Sequence, residues 1–348
     1  MTRENSLELI FNSIFEGVIT LDSNLNITLV NPRLCFLFGF DKEKDARGLS
    51  LLSFSRSIEL EEAAQQVLST GQPHELTVRR YASGNEQHFR VHAAPLEEDR
   101  GVVLILEDIS RMVKLEQVRK DFAANVSHEL RTPIQVAKGF AENILDSSLD
   151  NKEEIRRFVG IIRKNVETME NLTSDLLTLV SLEEEGSARP SMEETLVAPL
   201  IAEAVGMVEI AAGKKDVSIK ISCPPDLSAK LYGPFIIQAL VNLLNNGINY
   251  SDSGSCIKVK AFMENEQLII EVKDKGIGIP AEHLGRIFER FYRVDRSRSR
   301  EIGGTGLGLA IVRHIALLHR GSAEVESHAG EGSVFRLRLP CSTEKIND

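Results

Sequence analysis

The hydrophobic positions change period twice along the chain, and each change marks a boundary. Over residues 1–110 apolar residues alternate in short runs. Residues 17–22 and 27–30 flank Ser23-Asn24, which reads as a β-hairpin. Residues 75–80 and 87–93 flank Ser83-Gly84-Asn85 as a second hairpin, and 101–106 supply a last buried strand. With helical turns between 32 and 70, this pattern predicts a small α+β sensor or scaffold domain. From 111 to 183 the period becomes helical. Leu115, Val118, Phe122 and Val126 recur at spacings of three and four, as do Ile155, Phe158, Ile162, Val166, Met169, Leu172, Leu176 and Leu179. The polar break at 146–151 divides them into an antiparallel helical hairpin. Its apolar stripe is too long for a lone hairpin, so two copies are expected to pair as a four-helix bundle, making the protein a homodimer. Residues 183–190, Glu-Glu-Glu-Gly-Ser-Ala-Arg-Pro, read as a linker, with 184–190 suited to a hinge. A mixed helix and strand pattern returns over 191–340. There, residues 268–273 predict a strand entering one glycine cluster and 307–318 a helix leaving another.

Composition narrows the function classes. A chain of 348 residues suggests two or three domains. Its 41 basic and 51 acidic residues give a net charge of −10, which argues against a general nucleic-acid-binding surface. Cys35, Cys223, Cys256 and Cys341 have neither metal-ligand spacing nor a dense disulfide pattern, so a reducing compartment is expected. The apolar run at 101–106 is far shorter than the roughly 20 residues of a membrane span, and the N-terminus lacks a signal-peptide pattern. A cytoplasmic location with no direct membrane span is the expectation, unless an anchor lies upstream.

Candidate chemistry begins at His128. Phe122, Val126 and Leu130 share one helix side, and His128 is turned about 200° from its neighbours at 126 and 130, towards solvent. Glu129 adjoins it, Thr132 lies one turn on, and Pro133 is expected to bend or loosen the helix. A solvent-facing imidazole beside a carboxylate can act as a nucleophile. A zinc site is not supported, because position 132 is threonine where the zincin pattern needs a second histidine.

Two glycine clusters follow, Asp274-Lys275-Gly276-Ile277-Gly278 and Gly303-Gly304-Thr305-Gly306-Leu307-Gly308. Glycines let backbone N–H groups approach phosphate, and the second cluster opens a helix whose positive end favours an anion. Asn242 and Asn246, four apart on the preceding helix, present amide oxygens of the kind that join a Mg²⁺ shell. Asp274, at a strand end, could accept from an adenine amino group. Neither cluster is a Walker loop or a dinucleotide turn. The arginine run from Arg290 and Arg293 through Arg296, Arg298 and Arg300 reads as a basic lid over triphosphate.

These motifs resemble, in order over 111–340, the boxes of bacterial sensor histidine kinases of the histidine-kinase-A class. The phospho-acceptor box spans 122–133, the N box 242–250, the first glycine box 274–280, the phenylalanine box 287–293 and the second glycine box 304–308. Residues 17–22, Asn31-Pro32, 38–40 and 108–110 are similar to a PAS domain. The resemblance implies a multidomain protein with three parts: a PAS domain over 1–110, a dimerisation and phosphotransfer hairpin over 111–183, and an α/β sandwich ATPase domain of the GHKL (Bergerat) type over 191–340. It implies that His128 takes the γ-phosphoryl of ATP, with Glu129 as base or orienting acid. Asn246 would hold Mg²⁺, with Asn242 supporting the triphosphate, and Asp274 would read adenine. Gly276, Gly278, Arg290, Arg293, Gly304, Thr305, Gly306, Leu307 and Gly308 would complete the nucleotide site. The phosphoryl group would pass to an aspartate of a response-regulator receiver domain, and Thr132 would serve a phosphatase activity towards that regulator. The competing reading is a catalytically silent ATP-binding scaffold. Two positions depart from the family pattern: Asn249 stands where a lysine or arginine is common, and Gly247 where alanine is usual. For the sensor input, the flavin-binding Asn-Cys-Arg motif is absent around Cys35, and His74, His88 and His92 are read as surface residues, so neither haem nor flavin is expected.

Overall fold

Alternation along the first runs becomes a five-stranded antiparallel sheet. In the computed structural model, which describes residues 9–40, 46–82, 84–96, 101–146, 151–183, 191–295 and 304–341, contacts divide the chain into two units, Met1–Ala123 and Ala124–Asp348.

In the first unit, β1 (Gly17–Leu21), β2 (Ile27–Val30), β3 (His74–Ala82), β4 (Asn85–Leu96) and β5 (Gly101–Asp108) lie in the order β2-β1-β5-β4-β3. Phe89, Val91 and Ala93 of β4 and Val102, Leu104 and Leu106 of β5 fill one face. Three helices cover that face: α1 (Pro32–Phe38), α2 (Leu51–Ser55) and α3 (Ile58–Thr70). Asn31 explains why the chain turns into α1. It is fully buried; its Oδ1 accepts from Leu34 N and Val18 N at 3.0 Å each, while Nδ2 donates to Glu16 O at 2.9 Å. One side chain thus caps the helix and ties it to β1. Both hairpins differ from expectation at their turns. The first loop is wider than Ser23-Asn24: Leu25 takes φ +61°, and Asp22 Oδ1 accepts from Asn24 N and Asn26 N. In the second, Asn85 belongs to the strand, and Ser83 lies outside the described residues.

Helix α4 (Ser110–Asp146) passes from one unit into the other, and α5 (Lys152–Glu183) follows it as the second arm of the hairpin. The helix continues through Pro133, which has no amide hydrogen to give to the turn before it. Residues 147–150 and 184–190, where the hairpin break and the hinge were expected, lie outside the described residues.

The second unit carries a mixed sheet ordered β11-β12-β10-β9-β7: β7 (Ser218–Ser222), β9 (Cys256–Glu264), β10 (Gln267–Lys273), β11 (Ser322–His328) and β12 (Gly332–Pro340). Among the described strands only the β7–β9 pairing is parallel. A two-stranded sheet joins β6 (Glu193–Leu196) to β8 (Ser228–Leu231). Helices α6 (Val197–Lys214), α7 (Gly233–Tyr250) and α9 (Gly308–Leu318) pack over the sheet, while α8 (Ala281–Leu284) is a single turn. Leu172 and Leu179 of α5 are 2% and 1% exposed within this same core, with Leu130, Leu176 and Leu182 packed against it. The apolar stripe assigned wholly to a bundle seam is therefore divided, and part of it faces the sheet domain. No described helix is long and apolar enough to cross a membrane.

Candidate functional site

Helix α7 brings the asparagines to the site because Asn242, Asn246 and Asn249 recur at helical spacing while Ile236, Leu240, Leu243 and Leu244 bury the opposite side. These asparagines line a cavity of about 510 Å3 with Tyr250, Asp274, Gly278, Arg293, Thr305, Gly306 and Gly308. Asp274 sits just beyond β10 and is 6% exposed. Its Oδ1 accepts from Gly276 N at 2.8 Å and Ser333 N at 3.1 Å, which fixes the carboxyl in the pocket wall. Burial pushes its pKa up, and those amide bonds oppose the rise.

The glycines are required by close approach. A Cβ on Gly276 would come 2.6 Å from Tyr250 O, and one on Gly306, at φ +72°, would come 3.0 Å from Phe291 Cα. Gly306 O accepts from Phe291 N at 2.8 Å, locking the second glycine loop to the phenylalanine box. Thr305 Oγ1 accepts from Leu307 N at 3.2 Å just before α9, an eleven-residue helix whose positive end opens on the cavity at Gly308. Asn242 Nδ2 donates to Gly308 O at 3.4 Å, joining the asparagine helix to that loop. Arg293 lines the cavity, whereas Arg290 is not among its lining residues. Gly303, Arg296, Arg298 and Arg300 lie outside the described residues.

These donors fit a magnesium-bound nucleotide: amide oxygens are hard ligands, backbone N–H groups suit phosphate, and Asp274 is a buried acceptor. The departure at Gly247 has a spatial counterpart. A Cβ there would lie 2.9 Å from Ile257 Cδ1, whose methyl fills the space an alanine would use.

His128 presents a side chain 61% exposed, with Nδ1 3.8 Å from Glu129 Oε1. That exceeds hydrogen-bond length, so the two are near neighbours and not bonded. Glu129 Oε2 instead accepts from Arg293 Nη2 at 3.0 Å, and the arginine side chain is 9% exposed. Thr132 Oγ1 donates to His128 O at 3.3 Å. A second tie joins the hairpin to the pocket: Thr305 Oγ1 donates to Asp175 Oδ2 at 2.7 Å. Asp175 is a half-buried carboxyl with its pKa raised by desolvation, against the lowering effect of the threonine bond.

Sequence reasoning missed Asn171, Ser174 and Asp175 of α5, which wall one side of the cavity. The signal was present, since these polar residues share one turn beside the apolar Leu172 and Leu176, but helix amphipathicity alone does not say what faces it. It also missed His319. This buried imidazole accepts from Tyr232 N, at the start of α7, through Nε2 at 3.1 Å, while Nδ1 lies 2.7 Å from Ile315 O.

The fold and pocket define a GHKL-type ATPase domain joined to a phospho-acceptor hairpin and preceded by a PAS domain. Residues 233–343 match the histidine kinase-, DNA gyrase B- and HSP90-like ATPase family, 118–185 the His Kinase A (phospho-acceptor) domain, and 11–114 the PAS fold. The chain is 35% identical over 286 residues to the sensor-like histidine kinase SenX3 of Mycolicibacterium smegmatis, covering 80% of this chain and 74% of that protein. It is 36% identical over 267 residues to SenX3 of Mycobacterium tuberculosis, covering 76% of this chain but 64% of the relative's length. Among solved structures, histidine kinase ThkA in complex with response regulator TrrA shares the fold, with a TM-score of 0.52 at 24% identity over 96% of this chain and 98% of that one. The chain belongs to the sensor histidine kinases of the histidine-kinase-A class.

Proposed function

We propose that the protein phosphorylates its own His128 from Mg-ATP and passes the phosphoryl group to an aspartate of a response-regulator receiver domain. The observation that carries this reading is an exposed imidazole beside a carboxylate, on a helix whose next residue is paired to an arginine of the nucleotide cavity. Glu129 Oε1 lies on the Nδ1 side of the ring, which leaves Nε2 as the attacking atom. The Nε2 lone pair forms the new N–P bond, the bond from the γ-phosphorus to the β–γ bridging oxygen breaks, and ADP leaves. Glu129 then takes the Nδ1 proton of the resulting imidazolium, once its other oxygen is free of Arg293. Mg²⁺, held by Asn246, would supply charge neutralisation to the phosphates. Asn242 would support the triphosphate, and Gly276, Gly278, Gly304, Thr305, Gly306, Leu307 and Gly308 would shape the loops around it. Asp274 would accept from the adenine amino group. Arg293 is favoured over Arg290 as the cation nearest phosphate, since it alone of the two lines the cavity.

The hairpin works as a homodimer in this reading, and the exposed Leu115, Val118, Ile134, Val159 and Val166 support a second copy covering it. The domains are taken as 1–110, 111–183 and 191–340, in a cytoplasmic setting. Thr132, one turn beyond His128, would orient water against the regulator's phospho-aspartate in a phosphatase reaction.

The deciding experiment is autophosphorylation with γ-labelled ATP and Mg²⁺ beside His128→Ala. Acid-labile, base-stable label absent from the variant supports the kinase. Unchanged labelling of the variant overturns His128. No label in a folded dimer that binds ATP favours the silent scaffold.

A further inference from the structure

The unit of residues 1–123 contains a second cavity, a cleft of about 720 Å3 between the ends of α1 and α2 and strands β3 and β4. Its inner wall is aromatic. Phe54 stacks on Phe38 with ring centres 5.1 Å apart and on Phe40 at 4.7 Å, and Phe89 lies 5.9 Å from Phe38. Such a wall suits the apolar body of a small molecule, and the volume is in the usual range of ligand pockets.

Three arginines line the cleft, Arg56, Arg79 and Arg80, and Arg80 meets the aromatic wall directly. The Arg80 guanidinium carbon lies 4.4 Å from the centre of the Phe38 ring. Nη1 donates to Leu37 O at 2.7 Å and Nη2 to Phe38 O at 3.3 Å, so the group is held in place by the C-terminal carbonyls of α1. Arg56 lines the same cleft from the left-handed residue that ends α2, at φ +53°. Burial depresses the pKa of Arg80, and the charge of Arg56 depresses it further, so the two cations feel one another. Among the described residues neither guanidinium has a carboxylate partner. Glu59, the acid in this wall, accepts from Ser57 Oγ at 2.9 Å.

The capping of α1 explains Arg80 by itself, but it does not explain a second cation beside it. Arg80 is half-buried on the apolar wall while Arg56 is exposed to solvent; the like charge of Arg56 adds to the cost of the Arg80 charge, and an anion beside both offsets it. Arg80 already commits two donors to carbonyls, so the pair suits one planar monoanion more than a phosphate. We propose that this cleft is a binding site for a small carboxylate with an apolar or aromatic body, its carboxylate set between Arg56 and Arg80 and its body on Phe38 and Phe54. The site stands apart from the transferase reading, and its test reads binding alone.

The test is calorimetric titration of the full chain with 3-phenylpropionate, its neutral amide 3-phenylpropionamide, and succinate, which lacks the apolar body. Arg56→Gln is compared with Arg33→Gln, whose wild-type Nε donates to Phe15 O and which does not line the cleft. Arg80 is left in place, because its loss strips two carbonyls of their donors. Saturable binding of 3-phenylpropionate is expected, weakened about tenfold or more in the amide and in Arg56→Gln by loss of a charge-assisted bond. Arg33→Gln should bind as the parent does. Absence of saturable binding to folded protein overturns the site, as do equal affinities for the amide or succinate or an unchanged Arg56→Gln.

Discussion

At the residue scale, burial decides what a carboxylate can do. Asp274 is held by two backbone N–H groups on one oxygen, so the second oxygen is left for the pocket. Asp274→Asn keeps an acceptor for the amides but replaces the free oxygen with a donor. Nucleotide affinity, read by ADP titration, should fall by about 1–3 kcal/mol while the melting temperature changes little. His319 makes a different prediction. Its pKa is lowered, chiefly by burial, with the bond to Ile315 O opposing, and neutral Nε2 is the acceptor for Tyr232 N. A histidine with a depressed folded pKa stabilises the fold above its unfolded pKa. That stability is lost as pH falls through the ordinary histidine value towards the folded one. Urea midpoints should therefore fall as pH drops from about 7.5 to about 5.5, and His319→Gln should flatten that part of the dependence.

At the scale of elements, α7 combines a core helix with a ligand-facing edge, and Gly247 is where the two meet. Alanine would favour the helix by about 1 kcal/mol, yet its methyl needs the place of Ile257 Cδ1, 2.9 Å away. The end of an isoleucine can rotate, so Gly247→Ala should change stability by less than about 1 kcal/mol. Ile257→Val alone should cost about 1 kcal/mol, and measurably less when combined with Gly247→Ala, a coupling that denaturant midpoints of the parent, both single variants and the double variant will read. Additive effects would place the two side chains out of contact. The same scale shows why some elements were legible. The alternation of β4 and β5 and the period of α4 and α5 each need only local geometry. The loop at Asp22–Asn26 was misread because its width depends on carboxyl bonds to two amides, which no hydrophobic pattern records.

At the scale of the whole molecule, helix α5 has two sets of neighbours to satisfy. Leu172 and Leu179 are buried against the sheet domain, while Val159 and Val166 of the same helix stay exposed and available to a partner helix. Val166→Glu should shift the protein from dimer to monomer in sedimentation without unfolding the sheet domain. Asp175 reports the helix-to-domain contact. Its raised pKa means its charged form opposes that half-buried contact, a contribution favourable below the ordinary aspartate value and lost as pH rises through the folded pKa. Asp175→Asn keeps an acceptor for Thr305 without the charge. It should raise the melting temperature at about pH 7, with the difference closing as pH falls towards about 4.

The chain's own order of residues determined the three-part architecture, the hairpin, and His128, Asn242, Asn246 and Asp274 as candidates for the chemistry. Each of these is written in a local period, or in motifs whose spacing fixes which side chains share a face. Tertiary structure alone decided that Glu129 bonds Arg293, that Asp175 walls the nucleotide cavity, and that Arg56 and Arg80 share an aromatic cleft. Those pairs lie 164, 130 and 24 positions apart, for 293 − 129, 305 − 175 and 80 − 56. Their encounters depend on how sheets and helices pack, because burial and charge pairing are properties of the folded surroundings and leave no period in the sequence.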